Sequence, residues 1–238
     1  VGAMVSSLDE ANTDAAEMAT AVKVVTKKAV QKAASVPGMD PSKAIQATTK
    51  NAVKGLGKAK LSAAQVSETL NATVESVIDA LDEIEPAEGV SLPDLSSMVS
   101  EVTSSSVEGL ADLQEDLAGN NSFDASQAVS QITKGATKGA GSLAASNSSF
   151  DLAEAIGNVS KSAASNLGKL TNDPTVAAKM VATVTKSSIE GLADLKQSDA
   201  TVLANAVNAV TKGTTVGAGI LAAADPNFNL AETIGELS

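Results

Sequence analysis

Any catalytic chemistry in this chain would rest on Asp, Glu, Lys, Ser and Thr, because the sequence has no His, Cys, Tyr or Trp and all 17 of its basic residues are Lys. Without imidazole or thiol groups there is no base that titrates near neutral pH and no thiolate nucleophile. Zinc ligands of the usual nitrogen and sulfur kind are missing as well. The composition therefore favours a structural or binding protein over an enzyme, and it predicts no cofactor.

Two arrangements of the remaining polar residues could still do chemistry. Lys186 precedes two serines, but consecutive residues on a helix do not face each other, so a Ser-Lys dyad is not expected there. The pair Asp82 and Glu83 and the pair Glu115 and Asp116 could hold Ca²⁺ loosely, yet neither lies in the spaced twelve-residue loop of an EF-hand. We therefore predict no catalytic residue and no metal site.

An internal repeat is the strongest feature of the sequence. Three segments recur in one order, 78 to 82 residues later, and the same order can be traced more faintly into the first third. This predicts three copies, covering residues 1–90, 91–172 and 173–238, the last of them ending in mid-helix. The recurring pairs are SVEGLADL from Ser106 with SIEGLADL from Ser188, QAVSQITKGATKGAGSLAA from Gln127 with NAVNAVTKGTTVGAGILAA from Asn205, and FDLAEAIGNVS from Phe150 with FNLAETIGELS from Phe228.

A shorter period lies inside each copy and predicts one helix and one turn per unit. A Thr or Ser recurs every 23 to 30 residues, and the apolar positions around it follow the 3.6-residue period of a helix. We therefore predict an all-α tandem array of about nine antiparallel helices, in three copies of a three-helix unit. The recurring residues are Thr26, Thr49, Thr73, Thr103, Thr133, Ser160, Thr185 and Thr211.

Capping residues place the helix starts. Asp or Asn stands three residues before Gln or Glu at positions 124, 151 and 229, Ser62 stands before Gln65, and Asp-Pro occurs at 40 and 173. A Phe before each of the first three caps is interpreted as a hydrophobic staple. The predicted helices span residues 8–35, 41–58, 63–84, 92–117, 124–144, 151–170, 174–195, 200–222 and 229 to the end.

Within the predicted helix 174–195, the apolar stripe distinguishes a core face from a solvent face. Val181, Val184, Leu192 and Leu195 are expected to be buried, with Lys186 and Lys196 exposed.

Six glycines fall inside two of these helices, where each costs about 1 kcal/mol relative to Ala. Close approach of a neighbouring helix would offset that cost. A phosphate-binding loop is the alternative, but no strand precedes these segments and the Walker pattern is missing. The glycines are Gly135, Gly139, Gly141, Gly213, Gly217 and Gly219.

Charge is segregated along the first half of the chain. Residues 22–61 hold nine Lys and one Asp, whereas residues 62–124 hold fourteen acidic residues and no Lys. The two regions could neutralise each other within one molecule, attract the opposite region of a neighbouring copy, or simply be solvated faces. The residues proposed for self-association are Lys23, Lys27, Lys28, Lys32, Lys54, Lys58, Asp79, Asp82, Glu83 and Glu85.

The expected function is a non-enzymatic structural or adhesive protein of a cell surface or extracellular assembly, with a cytoplasmic setting as the alternative. Its partner would be a further copy of itself or another protein. A net charge of −11, without Arg or stacking aromatics, argues against nucleic acid. The rival functions are an amphipathic lipid-surface protein and a rigid scaffold that binds another protein along one face.

Overall fold

Within residues 15–36, 38–58, 61–85, 91–117, 123–195 and 199–236, which the computed structural model describes, the chain forms α-helices and short 3₁₀ turns and no strand. The all-α prediction is confirmed. The 3₁₀ turns follow α2, α3 and α6, at Gly55–Lys58, Leu81–Glu83 and Leu167–Lys169. The nine helices are α1 (Ala15–Ala34), α2 (Pro41–Lys54), α3 (Ala63–Asp79), α4 (Leu95–Asp116), α5 (Ala125–Ser146), α6 (Leu152–Ser165), α7 (Pro174–Ala193), α8 (Ala200–Ala224) and α9 (Leu230–Glu236).

The predicted caps begin the helices. The Asp124 carboxylate accepts hydrogen bonds from the backbone N–H groups of Ser126 and Gln127, and Ser62 and Gln65 form a reciprocal capping box. Asp94 and Asp199 cap α4 and α8 in the same way, although the sequence patterns did not single them out. Each cap satisfies backbone donors that the first turn leaves without partners.

The helices pack most extensively on the helix two further along the chain: α1 on α3, α2 on α4, and so on to α6 on α8. Side-chain contacts show that these pairs are parallel. Along α5 and α7, Ser130 meets Ser187 and Lys138 meets Asp194, so both positions advance together. Since α5 and α7 run in the same direction, the chain must run back through α6 to reach the start of α7. Consecutive helices therefore run in opposite directions, as predicted.

This packing produces two layers. The helices α1, α3, α5 and α7 form one layer, and α2, α4, α6 and α8 form the other, so the packing period is two helices. The predicted sequence copies contain three helices, an odd number. Helices at equivalent places in successive copies therefore lie in opposite layers, and packing runs without interruption across residues 90 and 172.

The core is made of small side chains with a buried hydroxyl in most helices. Six of the eight recurring Thr and Ser residues are buried, Thr185 is half-buried and Thr211 is exposed. Seven of the eight hydroxyls donate to the carbonyl four residues earlier, as Thr133 Oγ1 does to Val129 at 2.9 Å, whereas Thr26 Oγ1 has no partner among the described residues. A hydroxyl satisfied inside its own helix can be buried without a cross-helix partner.

The predicted face of α7 is confirmed in most positions. Val181, Val184 and Leu192 are buried and Lys186 is exposed, as expected. Leu195 is half-buried, and Lys196 lies outside the described residues. The three phenylalanines pack against the core at the starts of α5, α6 and α9.

Close helix approach explains four of the six predicted glycines, whereas Gly141 meets only the side chain of Leu195, just beyond α7. A Cβ added to Gly135 would lie 2.5 Å from the Asn71 carbonyl oxygen, and one added to Gly217 would lie 2.7 Å from the Lys161 oxygen. These glycines therefore let parallel helices two apart approach backbone to backbone. Gly219 is the other exception, because a Cβ there would meet nothing within 4 Å.

Candidate self-association surfaces

The basic and acidic regions meet within one molecule. Lys23 Nζ lies 2.9 Å from Glu75 and Lys27 Nζ lies 2.8 Å from Glu83, so ion pairs join α1 to the acidic helix α3 and the turn after it. In the other layer, Lys54 Nζ lies 3.4 Å from Asp112, between α2 and α4. The contacts therefore support intramolecular neutralisation for part of the charge, and a role of these residues in self-association stays a prediction.

The remaining residues proposed for self-association are dispersed. Lys28 and Lys32 are exposed on the outer side of α1 and form no ion pair among the described residues. Asp82 accepts a hydrogen bond from Ser146 at 2.9 Å. Glu85 is exposed, and the Lys58 side chain lies outside the described part of the chain. Nothing in the described structure gathers these residues into one patch.

Asp79 differs from the other carboxylates because it is half-buried at the end of α3 and its Oδ1 atom has no hydrogen-bond partner among the described residues. Burial, followed by repulsion from Glu75, raises the pKa of Asp79 from 3.8 to about 6. Lys23 and Lys27 and a hydrogen bond with Ser142 act in the opposite direction without cancelling it. Asp79 is thus a charge that the fold disfavours.

Asp79→Asn is expected to stabilise the protein at neutral pH. The shift from 3.8 to about 6 corresponds to roughly 3 kcal/mol, and solvent screening of this half-buried group reduces the expected gain to about 1 kcal/mol. The folded-state pKa is raised, so the folded state holds the proton more tightly than the unfolded state between about pH 4 and pH 6. Wild-type stability should therefore fall relative to the variant as pH rises through that window.

Urea unfolding of both proteins across this pH window measures the difference. Identical pH dependence of the two unfolding free energies would contradict the assignment of Asp79.

Two helix pairs repeat the same contacts. Between α2 and α4, Lys54 pairs with Asp112, and a Cβ on Gly57 would lie 2.8 Å from Leu113 Cδ1. The corresponding contacts between α5 and α7 join Lys138 to Asp194, and a Cβ on Gly141 would collide with Leu195. The same two contacts therefore occur at both places, three helices apart along the chain.

Helix α8 is the sequence counterpart of α2 and α5, but the equivalent face carries no helix among the described residues. Its 25 residues contain a single charge, Lys212. Val216 is 43% exposed and Ile220 is 45% exposed. Val129 on α5 is fully buried, whereas its counterpart Val207 is exposed. This surface, formed by residues 204, 207, 208, 211, 215, 216, 219 and 220, is called the α8 face.

The outer side of α1 is a second surface on which no helix of the described residues packs. Val24 is 51% exposed, the largest fraction among the exposed large hydrophobic residues of the described chain, and Val36 is also exposed at the turn after the helix. Lys28 and Lys32 lie between them on the same side. This surface, formed by residues 24, 28, 31, 32, 35 and 36, is called the α1 face.

Grooves, acidic groups and long apolar helices are the other features of the described chain that bear on function. A groove of about 490 Å³ between α3, α5 and α7 is lined by Glu75, Lys138 and Asp194, of which the last two pair with each other. No three acidic residues come together in a metal-binding group within the described ranges. None of the described helices is long and apolar enough to cross a bilayer.

No protein-family model matches this sequence, and no curated protein is significantly similar to it.

Proposed function

We propose that this chain is a non-enzymatic structural protein, a helical repeat array of three three-helix units that associates with further copies of itself at a cell surface or in an extracellular assembly. The location of the exposed large hydrophobic side chains carries the proposal. Six of the eight in the described residues lie at two places, on α1 with the turn that follows it and on α8. Those six are Val24, Val36, Met39, Val207, Val216 and Ile220.

The three-helix unit is supported by the contacts between α2 and α4 that recur between α5 and α7. Each recurring pair joins residues at matching positions of the sequence copies, including Gly57 and Gly141. An array that repeats its interfaces can be extended by adding the next unit, which is how repeat proteins bury a face that one unit leaves open.

Apolar contact, more than charge, is proposed to drive the association. Lys23, Lys27 and Lys54 have acidic partners inside the molecule, whereas the whole of helix α8 has a single charged residue, Lys212, which is not part of the α8 face. Burial of apolar surface is only weakly sensitive to salt, while attraction between exposed charges is screened at physiological ionic strength.

The test is light scattering coupled to size exclusion, over a wide range of protein concentration at low and high salt. We expect a molar mass that rises with concentration at both salt levels. Association that disappears at high salt would show that the charged regions drive it instead of the apolar surfaces. A variant with Lys23, Lys27, Lys28 and Lys32 all changed to Gln checks this directly, because unchanged association of that variant contradicts a charge-driven mechanism.

A monomer at every concentration and salt level would overturn the proposal. It would favour the rigid scaffold that binds a different protein. Helicity that develops only when lipid vesicles are added would instead favour the lipid-surface function.

A further inference from the structure

We propose that the α1 face of one copy docks on the α8 face of another, reproducing between molecules the interface that α4 forms with α2 and that α7 forms with α5. This inference rests on the proposed self-association and specifies its surfaces and direction. The association would be head-to-tail, because the two faces are different surfaces of one molecule.

The interface between α2 and α4 defines the contacts. Ser42 donates a hydrogen bond to Glu101 near the start of the pair. In the middle, Gly109 makes room for Val53, because a Cβ on Gly109 would lie 2.9 Å from the Val53 Cβ. At the far end, the Leu113 side chain packs against Gly57, in the space that a Cβ there would occupy.

The interface between α5 and α7 repeats each of these contacts. Ser126 and Thr183 share a hydrogen bond of 3.1 Å at the start. A Cβ on Gly191 would lie 2.8 Å from the Thr137 Cβ in the middle. Gly141 gives way to Leu195 at the far end. Two occurrences of one interface, related by the sequence repeat, define how a helix of the α1, α4 and α7 type packs on one of the α2, α5 and α8 type.

The α8 face corresponds in sequence to the surfaces of α2 and α5 on which α4 and α7 pack. The repeat places Ala204, Thr215 and Gly219 where α5 has Ser126, Thr137 and Gly141. Ala204 is exposed and Thr215 is half-buried, whereas Thr137 is fully buried beneath α7. The α8 face therefore has the positions that a helix of the α7 type contacts, without such a helix.

The α1 face corresponds in sequence to the surfaces of α4 and α7 that pack on α2 and α5. Alignment of residues 22–36 with 99–113 places Val24 at the position of Glu101 and Val36 at the position of Leu113. Both valines are exposed, whereas Leu113 is fully buried against Gly57. In the docked pair Val24 would contact Ala204, and Val36 would contact Gly219.

Gly219 supplies an independent observation. A glycine inside a helix costs about 1 kcal/mol, and at the matching Gly57 and Gly141 a leucine side chain occupies the space that a Cβ would fill. Among the described residues of one molecule, no atom lies within 4 Å of a Cβ added to Gly219. Docking of Val36 from a second copy gives Gly219 the same role as its two counterparts.

Lys32 is one departure from the repeated interface, and the ion pair is a second, because Val216 and Ser35 occupy the positions of Lys138 and Asp194. Lys32 occupies the position of Gly109 and Gly191, where a Cβ would lie within 3 Å of the facing helix in both earlier interfaces. Its side chain therefore holds the docked helix further from Thr215 and places a second positive charge near Lys212. Lys32→Ala should tighten the association by roughly threefold, since exposed charge contacts contribute up to about 1 kcal/mol.

The experiment uses sedimentation equilibrium of the full chain and three variants, each checked for unchanged helicity by circular dichroism. Gly219→Leu and Val216→Glu block the α8 face, and Val24→Glu blocks the α1 face. All three positions are exposed or open in the monomer. We expect each variant to weaken association by roughly tenfold or more. Ile189→Glu is the matched control, because Ile189 is 39% exposed on α7 outside both faces, and its association should equal that of the wild type.

Mixing Val24→Glu with Val216→Glu tests the direction. Each variant keeps the face that the other has lost, so the mixture should form a one-to-one complex with wild-type affinity at concentrations where neither variant associates alone. A variant that by itself associates as tightly as the wild type would overturn the head-to-tail pairing.

Wild-type association that all three variants retain would overturn the docking proposal and leave the proposed function intact. A wild-type monomer at every concentration would overturn both.

Discussion

Ile132→Ala is expected to lower the free energy of unfolding by about 4 kcal/mol, a large share of the 5–15 kcal/mol typical of a domain. Ile132 is fully buried in α5 and belongs to the core between the layers. Because α5 packs on α3 and α7 in its own layer and on α4 and α6 in the other, the truncation leaves a cavity that few neighbours can fill. Urea unfolding followed by circular dichroism measures the loss.

Ile220→Ala is the matched control, because this isoleucine is 45% exposed on α8. At protein concentrations low enough to keep the chain monomeric, it should change the unfolding free energy by less than about 0.5 kcal/mol. Equal losses for the two variants would show that α5 is not the buried centre of the array.

Gly213→Ala is expected to destabilise the protein by about 2 kcal/mol, whereas Gly219→Ala should stabilise it by roughly 0.5 to 1 kcal/mol. A methyl group on Gly213 would collide with the backbone of Gly157, and overpacking of this kind costs up to about 3 kcal/mol. The better helix propensity of Ala offsets about 1 kcal/mol of this cost. At Gly219 the methyl group meets nothing, so only the propensity gain remains.

The pair of variants is measured by chemical unfolding at low protein concentration. The two substitutions are chemically identical and lie in the same helix six residues apart, so propensity cancels in their difference. Wild-type stability in Gly213→Ala would contradict the close approach of α6 and α8.

Much of the fold could be predicted from the sequence because the decisive signals are local. Asp124, Asp173 and Ser62 satisfy the first backbone donors of their helices from within a few residues, and the short period of recurring Thr and Ser predicted about nine helices, the number that the described residues form. The ends of α2, α3 and α6 were predicted too far along the chain. Each passes into a 3₁₀ turn, where the apolar periodicity continues although the hydrogen-bonding pattern changes.

The candidate surfaces could be predicted less well, because local sequence signals do not specify which residues meet in the fold. Charge segregation indicated residues such as Lys27 and Glu83 for self-association, and the fold pairs these two with each other. No sequence pattern says whether a charge will meet its partner inside the molecule or outside it. The glycines were predicted to lie against the backbone of a neighbouring helix, and this is confirmed for Gly135, Gly139, Gly213 and Gly217. Gly141 meets only a leucine side chain, and Gly219, whose local sequence matches that of Gly141, meets no atom of the described residues.

The sequence by itself determined that this protein is all-α, where its helices begin and which segments are copies of one another, because caps, apolar period and repeat are properties of residues close together in the chain. Only the tertiary structure decided that helices pack in parallel on the second helix along, so that successive helices alternate between two layers. That choice depends on contacts between residues about 60 positions apart, such as Lys54 with Asp112. The same packing covers one face of α5 and leaves its copy on α8 open.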